Sequence, residues 1–318
     1  MSAVREEPID LLVVARKDAS LGVAVFDLQE VNGRALPEWT AGAHIDLLVS
    51  DQLVRQYSLC GDPADRSLWR VGVLLDPAGS GGSVYIHEKL NVGSKIRALG
   101  PRNHFILTPS PQYLFVAGGI GITPILPMLR AAQATRADWK LVYGGRTRDS
   151  MAFLDELASY GDRVCVWPQD ETGLIELAAF LGPPREDILV YCCGPEPLLA
   201  AMEICCAIWP AGALRLERFA AKPLEASLNS MEFEVHLQRS GLTLTVRPDQ
   251  SIIDVVQAAG IEIVCSCRGG TCGSCETTVM EGSPDHRDSV LSEDERTESR
   301  SMMICVSRSL SSRLVLDL

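Results

Sequence analysis

Four cysteines in the C-terminal part of the sequence constrain this chain more than any other feature. Cys267, Cys272 and Cys275 have the spacing C-x4-C-x2-C, and Cys305 follows after 29 intervening residues. This is the plant-type arrangement for a [2Fe-2S] cluster, in which four thiolates bind two irons. Zinc sites usually pair two short knuckles of similar spacing, so zinc is the less favoured alternative. Cys265 stands outside the pattern and is not expected to be a ligand.

Composition and charge narrow the possible classes of protein. The chain has 318 residues, eleven cysteines and a formal net charge of −12, which disfavours binding to nucleic acid. Residues 1–10 lack the basic start and apolar centre of a signal peptide, and no apolar run approaches the roughly 20 residues that span a bilayer. We therefore expect a cytoplasmic protein with no membrane segment and with reduced thiols.

Three different rhythms of apolar residues divide the chain. Short strands separated by turns predict a small antiparallel barrel before residue 108, with one helix from Ser83 to about Leu90. From Tyr113 buried strands alternate with helices, which indicates a parallel sheet covered by helices. After Met231 a strand pair and a helix lead into the cysteine loop. The expected domains are 1–108, 109–222 and 231–318, with a linker at 223–230.

Two glycine-rich turns are suited to binding phosphate groups. One is Gly79-Ser-Gly-Gly-Ser83, directly before a predicted helix, and the other is Gly118-Gly-Ile-Gly-Ile-Thr-Pro124, between a strand and a helix. Backbone N–H groups and the positive end of a helix both favour an anion. The second loop is not G-x-G-x-x-G and no P-loop motif occurs, which disfavours a standard Rossmann fingerprint and a P-loop nucleotidase. Either turn alone could be an ordinary helix start.

Beside these motifs, the sequence resembles a known family along its whole length. The run 266–275 with Cys305 looks like a plant-type ferredoxin module fused to a reductase. Arg55-Gln-Tyr-Ser-Leu-Cys60 is similar to the flavin signature of the phthalate dioxygenase reductase and vanillate demethylase reductase family, and the Gly118 loop matches its G-G-x-G-x-T-P motif. The resemblance implies a multidomain fold with an antiparallel β-barrel flavin domain, an α/β parallel-sheet nucleotide domain and an α+β β-grasp ferredoxin domain.

The resemblance also implies a binding site for FMN. Arg55 would hold the flavin phosphate, Tyr57 would pack on the isoalloxazine ring and Ser58 would hydrogen-bond near its N5 atom. A guanidinium, a phenol and a hydroxyl are chemically suited to these roles. The full set of residues expected to bind the flavin is Arg55, Gln56, Tyr57, Ser58, Val73, Leu74, Gly81, Gly82, Ser83 and Phe219.

A second set of residues is implied for NADH. Cys193-Gly-Pro195 is similar to the motif that the family places at the nicotinamide, where Cys193 would be a positioning group and not a nucleophile. Glu217 lies in the segment that leads out of this domain. Arg146 and Arg148 follow the second strand, where a 2′-phosphate could be bound, so NADPH remains the alternative. The expected NADH residues are Gly118, Gly119, Gly121, Thr123, Arg146, Cys193, Gly194 and Pro195, and those expected at the hydride transfer itself are Ser58, Thr123 and Cys193.

The function implied by the resemblance is that of an NADH-dependent reductase. Hydride would pass from NADH to FMN, and single electrons would then pass through the [2Fe-2S] cluster to a terminal Rieske-type oxygenase or demethylase. The reductase is expected to be a monomer. One alternative is an FAD-containing NAD(P)H reductase with the same ferredoxin module, serving another class of oxygenase. Another is a regulatory or scaffold protein whose cysteines hold zinc, which would be colourless.

Overall fold

The computed structural model describes residues 7–50, 53–79, 81–220 and 231–318. The predicted linker at 223–230 lies outside these ranges. Contacts within the chain define two compact units, with the boundary between Glu217 and Arg218. Within the described ranges, every helix is too short or too polar to cross a bilayer.

The first unit begins with a six-stranded antiparallel sheet. Its strand order is β4-β3-β6-β1-β2-β5, and a bridge between Leu59 and Val71 joins its two edges, so the sheet closes into a barrel. Side chains that alternate along the strands, among them Phe26, Ile45 and Trp69, fill the interior. The elements are β1 (Ile9–Ser20), β2 (Val23–Glu30), β3 (His44–Ser50), β4 (Leu53–Ser58), β5 (Trp69–Leu74), α1 (Gly82–Lys89) and β6 (Lys95–Arg102).

A five-stranded sheet follows in the same unit. All its strands are parallel, in the order β11-β10-β7-β8-β9. One face packs on α2 and the other on α5 and α6, so neighbouring residues of one strand enter different cores: Cys193 lies on the α2 side and Cys192 on the other. The elements are β7 (Gln112–Gly118), α2 (Ile122–Ala134), β8 (Asp138–Gly145), α3 (Leu154–Ala158), β9 (Val164–Pro168), α4 (Gln169–Thr172), α5 (Leu177–Leu181), β10 (Ile188–Cys193), α6 (Glu196–Cys205) and β11 (Leu214–Glu217).

The second unit holds a mixed five-stranded sheet in the order β13-β12-β18-β14-β16. Its first and last strands, β12 and β18, pair in parallel in the centre. Helix α7 packs on this sheet, and a reciprocal capping box between Ser251 and Asp254 fixes its start. The elements are β12 (Phe233–Leu237), β13 (Leu242–Val246), α7 (Ile252–Ala258), β14 (Glu276–Glu281), β15 (Pro284–Asp285), α8 (Glu293–Glu298), β16 (Ser301–Met303), β17 (Arg308–Ser309) and β18 (Arg313–Leu316). The three architectures confirm the predicted fold class.

Candidate functional site

The first candidate site lies where Arg55 meets the start of α1. A Cβ atom added to Gly82 would lie 2.6 Å from Cγ and 2.8 Å from Nε of Arg55, so only glycine lets the arginine lie against the helix. Gly81 has a φ of 86°, a conformation that glycine adopts without strain. The guanidinium and the first N–H groups of the helix together offer the charge and the donors that a phosphate requires. These residues fit the phosphate of a flavin mononucleotide.

The hydroxyl of Ser83 is already used within the turn. It accepts a hydrogen bond from the N–H of Asp76 at 3.0 Å and donates one to the carbonyl oxygen of Asp76 at 3.3 Å. These bonds join the two ends of the glycine-rich turn. A contribution of Ser83 to phosphate binding would therefore come from its backbone N–H.

Tyr57 and Ser58 are buried polar residues at the end of β4. Tyr57 packs against the barrel core, and desolvation raises the pKa of its phenol to about 12, so the phenol is neutral. Ser58 is 4% exposed, and its Oγ has no hydrogen-bond partner among the described residues. A buried hydroxyl without a partner costs about 1–3 kcal/mol. A bound ring with a polar edge would remove that cost, which fits the expected flavin.

Three other predicted flavin residues are placed differently from one another. The amide of Gln56 donates to Oδ1 of Asp46 at 2.9 Å, and the side chain of Val73 is fully buried in the barrel core. A contact of Val73 with a flavin would therefore be made by backbone atoms. Leu74 is 41% exposed and has a side chain that could reach a ligand.

Gly72 is a site residue that the sequence analysis missed. A Cβ atom at this position would lie 2.9 Å from Cγ2 of Thr123 and 3.6 Å from Cδ1 of Ile120. The glycine thus lets strand β5 of the barrel approach the start of α2, and it brings Thr123 to the strand that carries Val73. A glycine inside an apolar strand often marks such a close approach, and this signal was present in the sequence.

The Gly118 loop and the Cys193-Gly-Pro195 motif, both predicted to bind NADH, pack backbone against backbone. A Cβ atom on Gly121 would lie 2.5 Å from the carbonyl carbon of Cys193, and one on Gly118 would lie 2.7 Å from Cδ of Pro195. Gly194 also packs closely, because its Cβ would lie 3.1 Å from Cα of Gly118. Gly119 has a φ of 53° and open space around it, so the exposed side of this loop can receive a ligand.

Cys193 and Glu217 lie side by side at the ends of β10 and β11. Burial raises the pKa of the Cys193 thiol well above its usual range, and it raises the pKa of the Glu217 carboxyl to about 8. The thiol hydrogen-bonds to this carboxyl. One carboxyl oxygen, Oε2, is buried with no partner among the described residues. A neutral thiol beside a neutral acid can position a ligand but is a poor nucleophile.

The remaining predicted residues of this region lie on the surface. Arg146 is exposed after β8, whereas the guanidinium of Arg148 donates two hydrogen bonds to Glu171, at 3.2 and 3.0 Å. Phe219 lies just beyond the boundary between the two units and is 46% exposed. Its place beside the flavin stays a prediction.

The C-terminal sheet gathers the cluster cysteines. Cys275 directly precedes β14 and Cys305 closely follows β16, and the pairing of Glu276 with Met303 puts both cysteines at the same end of these strands. The thiol of Cys267 contacts those of Cys272 and Cys305, and the thiol of Cys275 contacts that of Cys305. Two pairs of thiols joined in this way fit a centre with two irons.

The loop around Cys267 is built to stabilise a thiolate. Its Sγ accepts hydrogen bonds from the N–H groups of Gly269, at 3.3 Å, and Thr271, at 3.4 Å. Gly270 has a φ of 66°, and its carbonyl oxygen accepts a hydrogen bond from Ser289 at 2.8 Å. Such N–H donors hold the charge of metal-bound sulfur and tune its potential.

One further thiol lies in this group. The Sγ atoms of Cys265, Cys275 and Cys305 all lie within 4.8 Å of one another. The ligand spacing does not include Cys265.

Comparison with known proteins identifies the family. The family described as oxidoreductase NAD-binding domain matches residues 115–203, and the 2Fe-2S iron-sulfur cluster binding domain matches residues 235–310. The chain is 42% identical to the phenoxybenzoate dioxygenase subunit beta of Ectopseudomonas oleovorans, over 100% of this chain and 99% of that one. It is 34% identical to the solved phthalate dioxygenase reductase, over 98% of both chains, with a TM-score of 0.71. The chain belongs to the phthalate dioxygenase reductase family.

This reductase therefore has the predicted enzyme class and cofactors. It is an NADH-dependent oxidoreductase of an oxygenase system, with FMN and a [2Fe-2S] cluster. The alternative of a zinc-binding scaffold protein is wrong. The chain is also 41% identical, with a TM-score of 0.93, to an intact type IV self-sufficient cytochrome P450 monooxygenase, of which it covers 41%.

Proposed function

We propose that this reductase acts as a monomer and delivers electrons from NADH to a Rieske-type oxygenase or demethylase. The observation that carries the proposal is the similarity to a phthalate dioxygenase reductase over 98% of both chains. That relative is a modular protein for electron transfer from pyridine nucleotides to [2Fe-2S]. We assign the flavin domain to residues 1–108, the nucleotide domain to 109–222 and the ferredoxin domain to 231–318.

The residues proposed to hold FMN have complementary tasks. Arg55 and the N–H groups of Gly82 and Ser83 bind the phosphate at the start of α1, while Tyr57 contributes a neutral aromatic surface. Ser58 supplies a buried hydroxyl that needs a partner. Cys267, Cys272, Cys275 and Cys305 would hold the cluster. The bound FMN would supply a hydride acceptor, and the cluster would supply a carrier of single electrons.

The residues proposed to hold NADH orient it and exclude water. The loop from Gly118 to Gly121 offers backbone N–H groups to the pyrophosphate, and Thr123 lies against Gly72 of the barrel. Cys193, with Gly194 and Pro195, positions the nicotinamide from the opposite side of the loop. A general base is not needed, because hydride moves directly between two oriented partners.

The surface charges support NADH as the electron donor. The guanidinium of Arg148 donates two hydrogen bonds to Glu171, and that carboxylate would repel the 2′-phosphate of NADPH. Arg146 remains exposed, where it can contact the adenosine half of the nucleotide.

The proposal is tested with anaerobically purified protein. Its visible spectrum is recorded before and after one equivalent of NADH, and a purified Rieske-type oxygenase is then added. We expect flavin and cluster bands that bleach together and a Rieske centre that becomes reduced. Bleaching without transfer to the Rieske centre would reject the proposed partner, and a colourless protein would reject the cofactors as well.

A cytochrome P450 is the second candidate partner. The favouring observation is that a self-sufficient P450 monooxygenase contains a reductase module with a TM-score of 0.93 to this chain. The same anaerobic mixture, with a P450 under carbon monoxide in place of the Rieske protein, separates the two candidates. If the reductase supports formation of the reduced carbon monoxide complex of the P450 but does not reduce the Rieske protein, this second partner is favoured.

A further inference from the structure

Cys265 belongs to the thiol group although it lies outside the ligand spacing. Its Sγ and those of Cys275 and Cys305 all lie within 4.8 Å of one another. Cys267, in contrast, contacts Cys272 and Cys305. Cys265 therefore lies with Cys275 and Cys305 in a set of three thiols, and Cys267 contacts that set through Cys305.

The backbone explains why Cys265 faces this set. Residues 261–265 alternate between half-buried and exposed positions, and the inward positions are Ile261, Ile263 and Cys265. All three pack against the core of the C-terminal sheet. This alternation carries the Cys265 side chain inward immediately before the cluster loop begins at Ser266. An ordinary core cysteine would satisfy the packing, but not the convergence of three sulfur atoms.

The distances are those of potential ligands of one metal. A thiolate sulfur lies about 2.3 Å from a tetrahedral metal such as zinc, which places two thiolates on one metal about 3.8 Å apart. Three sulfur atoms within 4.8 Å of one another need only small rotations to reach such a separation.

We propose that Cys265 is a reserve ligand for the iron that Cys275 and Cys305 hold, able to bind that iron when one of these two thiolates is displaced. The inference rests on the proposed ligand set, which the cluster content of the wild-type protein tests separately. In this exchange the Cys265 thiol loses its proton to solvent and forms one Fe–S bond. The displaced thiolate gives up its own Fe–S bond and takes up a proton.

The test compares C275A with C275A/C265S. Serine keeps the volume of residue 265 but replaces the thiolate, so the comparison separates ligation from packing. Iron, acid-labile sulfide and visible circular dichroism are measured on each purified protein. We expect C275A to retain a [2Fe-2S] cluster and C275A/C265S to lose it.

Two controls complete the comparison. C275A/I263V keeps the thiol and alters packing in the same segment, so it should retain the cluster. C272A removes a ligand outside this set of three thiols, so it should lose the cluster although Cys265 is present. Loss of the cluster from C275A to the same extent as from C275A/C265S would overturn the proposal.

A measurement with all four proposed ligands in place covers the case in which C275A does not fold. Cluster absorbance is followed in wild type and C265S after addition of an iron chelator. We expect the cluster of C265S to be lost about ten-fold faster, the lower end of the usual effect of groups around a metal site. Equal rates would overturn the proposal. A C265S protein that never acquires a cluster would also overturn it, because Cys265 would then be an obligatory ligand.

Discussion

Replacing Gly121 with alanine should test how closely the two nicotinamide loops must pack. The added Cβ would lie 2.5 Å from the carbonyl carbon of Cys193, whereas real Cβ contacts are no shorter than about 3.0 Å. Both partners are backbone, so no side-chain rotation can relieve the overlap. The carbonyl oxygen of Cys193 would lie closer still, so the Gly118 loop and the Cys193 turn would have to separate by more than about 0.5 Å.

The expected cost follows from this displacement. Overpacking of this kind lowers the free energy of unfolding by about 1–3 kcal/mol. A misplacement of about 1 Å at a reacting centre can cost about 100-fold in rate, so we expect about a ten-fold slower hydride transfer in G121A. Flavin content should not change, because the phosphate site at Arg55 and Gly82 is separate from this contact.

The assay is anaerobic stopped-flow reduction of the flavin by NADH, with the dissociation constant of NADH taken from its concentration dependence. G161A is the matched control, because Gly161 has a φ of 58° and open space around it. Its cost should be limited to backbone strain, with hydride transfer at the wild-type rate. A G121A protein that reduces its flavin at the wild-type rate, with unchanged NADH affinity, would refute the reasoning.

Three further predictions concern buried and charged groups. S58A should raise the stability of the flavin-free protein by about 1 kcal/mol, since it removes a buried hydroxyl without a partner, and it should slow reduction of the flavin-loaded protein; urea unfolding and stopped-flow measurements check the two effects. The pKa of the Glu217 carboxyl is raised from 4.5 to about 8, so between these pH values the folded protein keeps a proton that the unfolded chain releases, and the contribution of Glu217 to stability should fall as pH rises from 4.5 to 8. In urea unfolding, E217Q should lack this part of the pH dependence of stability. An identical pH dependence in both proteins would contradict the prediction. E171Q should free Arg148 to bind a 2′-phosphate, a gain of about 1 kcal/mol that would strengthen binding of 2′,5′-ADP relative to 5′-AMP about five-fold, measured by calorimetry. E176Q, which removes an exposed carboxylate of the same domain, is the control and should leave this ratio unchanged.

Features that depend on neighbours in the chain could be predicted from the sequence. The strand pair expected after Met231 corresponds to β12 and β13, in which apolar and polar residues alternate. The helix expected after the Gly118 loop begins within that motif, at Ile122, because a proline is tolerated in the first turn of a helix. The ligand spacing at Cys267, Cys272 and Cys275 is also a local property of one loop.

Features that depend on distant pairing could not be predicted in the same way. The contact between Gly72 and Thr123 arises only when the barrel and the parallel sheet pack together. The bond from Gln56 to Asp46 depends on the register of β4 against β3, in which these two residues are directly paired. A one-residue change of that register would turn each side chain to the other face. The sequence identifies such residues, but it does not determine which of their atoms are in contact.

The sequence by itself determined the chemistry of this protein, because the residue types that bind phosphate, nicotinamide and iron follow one another in short motifs. The tertiary structure decided which of these groups are already occupied and which are still without a partner. Arg148 is held by Glu171, whereas the hydroxyl of Ser58 has no partner among the described residues. It also decided that Cys275 and Cys305 meet, because β14 pairs with β16, and that Cys265 joins them, because residues 261–265 pack against the core of the C-terminal sheet. Spacing along the chain cannot specify distances between segments whose separation is set by packing.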